Sequence, residues 1–421
     1  MRQILLGKAP LGKGQGGGVA HQADYTEPPY YLLRDEFTTD RAAGSVNGTL
    51  AEPGPGRRAV TDTNSKLSIT GGVLSFATGG AGNGDPSIQW TPQQRRTGRL
   101  FMATVTPSVS TISIGWDENA GGTITDAFRF LVSSGRLDIR DNTNAVAVGA
   151  FAGGTSYQVA IALRETGSFF FIKGGAFTNW TLMFIVQTEG TSPMYPTVAA
   201  EGSLTVATVD NARVPATSFA PVPLVSDGFS IDGESDGLGH LEGVLLATYG
   251  QGGAGVSWTD AVGTWAVTDG ALAASALSGG RAIRTADCGK ADLIITVKMT
   301  LSSGTMSLIV RWTDENNFVQ LRLTSTNLQL VKVVSGTPTT VADTAITYVA
   351  GAPVRLICQG SAFRRFYNDA AIGSESTISD GALASATVVG LRTDDTGNTF
   401  DDFVAYARGS GGEYDTALDA L

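Results

Sequence analysis

The sequence predicts an all-β protein built from two tandem antiparallel β-sandwiches. Three observations lead there: a turn-rich composition, apolar residues that alternate with a period of two, and an internal repeat about half the chain long. Of 421 residues, 54 are glycine and only 16% are charged, whereas globular domains average about 7% glycine and about 25% charged residues. At roughly 100–200 residues per domain the length suits two domains, each with its own core. A hydrophobic fraction of 42% is too high for a disordered chain. No run approaches the ~18 apolar residues of a membrane-spanning helix.

The repeat rests on four landmarks in the same order. Leu33-Arg-Asp35-Glu-Phe37 is echoed by Val225-Ser-Asp227-Gly-Phe229, and Thr70-Gly-Gly-Val-Leu74 by Thr268-Asp-Gly-Ala-Leu272. Ile112-Ser-Ile-Gly-Trp116 returns as Leu308-Ile-Val-Arg-Trp312, and Val209-Asp210-Asn211 as Phe400-Asp401-Asp402. One near-constant spacing, drifting only in Gly- and Ser-rich stretches where loops take up insertions, marks a duplicated domain. The boundaries that follow are a Gly-rich extended arm at 1–32, a first sandwich at 33–214 and a Pro-rich linker at 215–224. A second sandwich covers 225–407, and a Gly linker with a short helical tail covers 408–421.

Inside the repeats the alternation predicts strands. Ser307–Thr313 and Phe318–Thr324 flank the turn Asp314-Glu-Asn-Asn317 and read as a β-hairpin. One parity puts Leu308, Val310 and Trp312 on the core face with Val319, Leu321 and Leu323, and places Trp116 in the first core in the same way. The other parity presents Arg311, Phe318, Gln320 and Arg322 outward. An aromatic ring among planar polar groups makes these four the candidate glycan-binding surface.

These residues resemble the concanavalin A-like or laminin G-like jelly-roll sandwich. The opening Asp-x-Phe (Asp35 and Phe37, Asp227 and Phe229), the hairpin after a Trp and the closing strand around Asp401-Asp402 carry the resemblance. It implies that the first and last strands of each repeat are neighbours and that loop ends can hold calcium. Asp232-Gly-Glu234-Ser-Asp236-Gly237 has alternating oxygen ligands and a glycine, although Gly243 stands where an EF-hand needs its bidentate Glu. Asp232, Glu234 and Asp236 are therefore the calcium candidates; no other cofactor is expected. Tandem sandwiches behind a Gly-rich arm also resemble bacteriophage virion components of the tail, fibre or decoration type. That resemblance implies virion partners, a homo-oligomer and a virion location after synthesis in the host cytoplasm.

Chemistry-bearing patterns are sparse. A net charge of −10 and a pI near 4.8 oppose nucleic-acid binding, which needs clustered Lys and Arg. His21 and His240 are the only histidines, one in the arm and one in a Gly-rich loop. No phosphate-binding loop or Cys-x-x-Cys is present, and no strand has the Glu-x-Asp-x-Glu spacing of sandwich glycosidases. The chain is therefore expected not to be an enzyme. Gly7-Lys8 cuts the first apolar run below the length of a signal h-region, so signal-directed secretion and membrane insertion are not expected. Cys358 shares strand parity with Val354 and Leu356, which predicts a buried free thiol.

Two functional readings follow. The first is a non-catalytic structural component of a large particle, docking through Tyr25, Tyr30 and Tyr31 and through Tyr414, Leu418 and Leu421, the apolar stripe of the tail. The alternative is a carbohydrate-binding module that attaches to a host or polysaccharide surface.

Overall fold

A computed structural model describes residues 31–77, 85–96, 98–107, 112–119, 127–133, 136–140, 145–164, 167–187, 192–200, 207–229, 244–245 and 256–421. The arm at 1–30, with Tyr25 and Tyr30, and the calcium candidates Asp232, Glu234 and Asp236 lie outside them. The described chain is almost wholly antiparallel strand, arranged as two sandwiches of two large sheets each, with a further two-stranded sheet of Val244–Leu245 and Val256–Ser257.

In the first sandwich an eight-stranded sheet runs in the order Phe177–Val186, Gly167–Gly174, Tyr157–Arg164, Leu100–Thr106, Ala207–Pro215, Val73–Phe76 and Leu67–Thr70. A seven-stranded sheet faces it, from Ala145–Ala150 through Ile112–Asp117 to Arg57–Thr61. The second sandwich repeats the plan. Its nine-stranded sheet is centred on Thr399–Ala407, Leu293–Thr300 and Ala352–Gln359. Opposite lies a seven-stranded sheet ordered Thr259–Val262, Ala282–Asp287, Val388–Thr393, Met306–Asp314, Asn317–Leu323, Asn327–Val334 and Thr337–Ala345. In both, the opening strand pairs with the closing one: Tyr31–Asp35 with Ala207–Pro215, and Val225–Asp227 with Thr399–Ala407.

The sequence landmarks coincide with repeated backbone devices. Asp35 accepts hydrogen bonds from the Phe37 amide (3.1 Å) and Trp90 Nε1 (2.8 Å), and Asp227 accepts them from the Phe229 amide (2.9 Å) and Trp258 Nε1 (3.0 Å). Phe37 and Phe229 both hold a left-handed φ, as do Asn211 and Asp402 in the closing strands. Positive φ disfavours a side chain, so these positions persist because the surrounding bonds over-determine them. In the first sandwich Arg58 adds a fully buried ion pair to Asp35, at 2.6 Å.

The larger sheets of the two sandwiches pack together. Phe169 meets Tyr406 and Phe184 meets Phe366, with ring centroids 5.4 and 5.1 Å apart. Ile294, Ile357 and Phe366 of the second sandwich thereby join the first sandwich's core cluster. Arg408, at the end of the last strand, donates to the carbonyls of Leu182 and Met183 and to Gln359 Oε1. Burial lowers its pKa to about 10. Arg355 donates to Gln187 of the first sandwich and to Asp369 of the second, with its guanidinium over the Phe184 ring.

The tail forms the expected short helix, Asp415–Asp419, but its partner is this chain. Tyr414 and Leu418 are buried, Tyr414 packs on Phe171 at 5.0 Å, and Asp415 and Asp419 accept from the backbone N–H and indole N–H of Trp180. The Leu421 carbonyl accepts from the Tyr31 hydroxyl and from Arg213 Nε. This corrects the expectation that Tyr414, Leu418 and Leu421 serve a foreign partner. An amphipathic stripe states that one face will be buried and leaves open against what. Tyr31 is likewise a member of the first strand.

Candidate binding face of the second sandwich

The outer face of the second seven-stranded sheet is where the sequence placed a ligand, and one irregularity rearranges it. The register slips between Val310 and Asp314, with Arg311 at φ 55°, the signature of a β-bulge. Past a bulge every side chain changes face. Leu308 and Val310 remain in the core, but Trp312 turns outward and stacks on Phe318 at 5.1 Å, in a satellite cluster with Ile283, Ile309 and Val333. Trp116 keeps the expected core position and donates its indole N–H to the Ile161 carbonyl. The two tryptophans that correspond in sequence therefore lie on opposite faces of their sheets.

Arg311 moves the other way, correcting its place in the candidate surface. It is 3% exposed and lies over the Phe363 ring. Its guanidinium donates to the carbonyls of Ala291, Ala384 and Gly360 and to Asp292 Oδ1. Such a cation is a structural bolt with no donor to offer a ligand. Phe318 and Gln320 are on the outer face but buried, and Arg322 is half-buried.

What this face offers is a polar row crossing five strands. Cross-strand register aligns Asp343, Gln329, Arg322, Ser307 and Arg392, and residues paired in this way share a face. Arg322 Nε donates to Gln329 Oε1 (2.9 Å), and Gln329 Nε2 to Asp343 Oδ2 (2.8 Å). Asn327 also donates to Asp343, and these two amide bonds hold its carboxyl below the usual carboxylate range. From the other side Arg392 Nη1 donates to Gln320 Oε1 (3.2 Å). Burial lowers the Arg392 pKa, opposed by Asp394. Between the arginines stands Ser307, 1% exposed, whose Oγ makes no hydrogen bond. A buried hydroxyl left without a partner costs about 1–3 kcal/mol.

Sequence reading found Gln320 and Arg322 but missed Ser307, Gln329, Asp343 and Arg392. Parity within the hairpin would have placed Ser307; the others join only through strand order. Among the described residues no cluster of three or more His, Cys, Asp or Glu stands close enough to hold a metal. No described helix is long and apolar enough to cross a membrane.

Both cysteines are free and buried. Burial pushes Cys288 up to about 11 and Cys358 up to about 12, above the ~8.5 of an accessible thiol. Since the thiolate is the reactive species, iodoacetamide at pH 8 is expected to leave both unlabelled in the folded chain and to label both in guanidinium chloride. Fast labelling of Cys358 without denaturant would contradict its burial.

Fold and face together define an all-β protein of two joined jelly-roll-type sandwiches, with a polar row on an outer sheet. No protein-family model matches the chain, and no curated protein matches it. Among solved structures it is similar to a carbohydrate-binding module from Bacillus subtilis, at 17% identity over 36% of this chain and 95% of that one, with a TM-score of 0.31. It is also similar to an immunostimulatory antigen and pseudo beta-1,3-glucanase of Mycobacterium tuberculosis (13% identity, 44% and 99% covered, TM-score 0.31). A third is a Bacillus subtilis protein of unknown function with a galectin-like fold (14% identity, 35% and 88% covered, TM-score 0.28).

Proposed function

We propose that the chain is a non-catalytic carbohydrate-binding protein that holds its ligand on the outer face of the second seven-stranded sheet. The observation that carries this reading is the row Asp343, Gln329, Arg322, Ser307 and Arg392 on that face. Sugars present alternating donors and acceptors, which planar amide, carboxylate and guanidinium groups match. Partner bonds already orient Gln329, Asp343 and Arg322, which lowers the ordering cost of binding.

The test is to screen the full chain on a glycan array and on insoluble polysaccharides, then repeat it with Arg322→Ala. Retention on at least one polysaccharide is expected, weakened about tenfold in the variant, since a hydrogen bond to a charged group contributes about 1.5–3 kcal/mol. Equal retention of the variant would place the site elsewhere. A role as a structural part of a phage particle draws on the resemblance of the tandem sandwiches and Gly-rich arm alone. The tail residues proposed to dock are spent inside this chain, and Tyr25 and Tyr30 lie outside the described residues.

A further inference from the structure

We infer that the sugar held by this face is acidic, bearing a carboxylate or sulfate, and that Arg322 and Arg392 select it. The inference rests on the carbohydrate-binding reading above and adds the ligand's charge. Three features of the polar row carry it. First, both guanidiniums are half-buried on the outer face, and among the described residues neither forms an ion pair. Other arginines near this sheet do: Arg281 pairs with Glu315 at 2.9 Å and Arg284 with Asp260 at 3.2 Å. Each member of the selecting pair bonds instead to a neutral glutamine carbonyl through one nitrogen. The remaining guanidinium nitrogens of both are absent from the buried, unpartnered polar atoms, so they open to solvent.

Second, Ser307 lies between them in register. Two strand spacings of about 4.8 Å separate the arginine backbones by about 10 Å, so long side chains from both sides can converge above the Ser307 hydroxyl. Two forked cations suit an acid group's planar or trigonal oxygens, which guanidinium binds bidentately. Third, the protein carries a net charge of −10. General attraction to polyanions is therefore absent, and any acid preference must come from a local cation pair. The nearby carboxylates Asp343 and Asp394 stay charged, but their oxygens are turned to the Gln329 and Asn327 amides and to the Thr305 amide and hydroxyl, and neither forms an ion pair with Arg322 or Arg392.

The experiment uses the full chain and two forms of one polymer, polygalacturonate and its fully methyl-esterified derivative, which differ only in charge. Dextran sulfate against dextran provides the sulfate arm, and poly-L-glutamate a polyanion without sugar. Expected is at least tenfold tighter binding to an acidic polymer than to its neutral form, falling as NaCl rises from about 0.05 to 0.5 M. Whichever arm shows the larger ratio identifies the acid group. Arg322→Gln and Arg392→Gln keep polar contacts and remove charge, so each is expected to weaken binding of the acidic polymer more than that of the neutral one and so to reduce the ratio. Equal binding of charged and esterified forms by the unmodified protein would overturn the inference and leave the carbohydrate reading standing. So would a ratio that survives in the double variant, or poly-L-glutamate bound as tightly as the acidic glycan. Binding to no glycan at all would overturn both.

Discussion

Arg58→Met should destabilise the first sandwich by about 3–5 kcal/mol, the usual cost of leaving one member of a buried ion pair without its partner. Both Arg58 and Asp35 are fully buried. Removing the guanidinium strips two bonds from the carboxylate, at 2.7 and 2.6 Å, and leaves it with only the neutral donors of Phe37, Glu52 and Trp90. For a domain of this size each kcal/mol moves the midpoint by about 2–4 °C, so a fall of roughly 6–20 °C is expected in a thermal melt followed by Trp fluorescence. The second sandwich has the same Asp held by Trp258, so Trp258→Phe should cost less, about 1.5–3 kcal/mol, one hydrogen bond to a charged acceptor. Equal effects of the two substitutions would show that Arg58 gains nothing from its charge.

The second large effect is expected at the joint. Arg408→Ala leaves two backbone carbonyls of the first sandwich and the Gln359 amide oxygen without their donor, and buried acceptors left unpaired cost about 1–3 kcal/mol each. We expect about 3 kcal/mol of destabilisation, and one calorimetric transition giving way to two as the sandwiches uncouple. Faster cleavage in the linker at 215–224 should accompany it. That linker is held by the Phe219 amide to the Gly98 carbonyl and by Arg99 to the Ala216 carbonyl. A single unshifted transition in the variant would show that the aromatic contacts alone hold the joint.

Much of the fold is legible because its signals are local. Thr70-Gly-Gly-Val and Thr268-Asp-Gly-Ala become tight turns with successive positive φ at Gly71 and Gly72 and at Asp269 and Gly270, as two-residue hairpin turns require. Period-two alternation placed Leu308, Val310, Val319 and Leu321 in the core correctly. It failed two residues further on, because the left-handed Arg311 carries none of the Gly or Asn chemistry that flags such a site in sequence. The bulge persists because five contacts from distant loops hold the Arg311 guanidinium, and those loops are adjacent only in the folded sheet.

Sequence signals alone were enough to read this chain as predominantly β and duplicated, while the pairing of first and last strands in each half was what the jelly-roll resemblance implied. Alternation, turn residues and repeated landmarks act over a few residues and survive without knowledge of neighbours. Which faces remain open is set by how the strands and sheets assemble. The tail is spent on the first sandwich, the larger sheets are spent on each other, and the polar row arises where Asp343, Gln329, Arg322, Ser307 and Arg392 come into register. The physical reason is that a strand's side chains state which residues share a face, whereas strand order and a single bulge decide which neighbours that face meets.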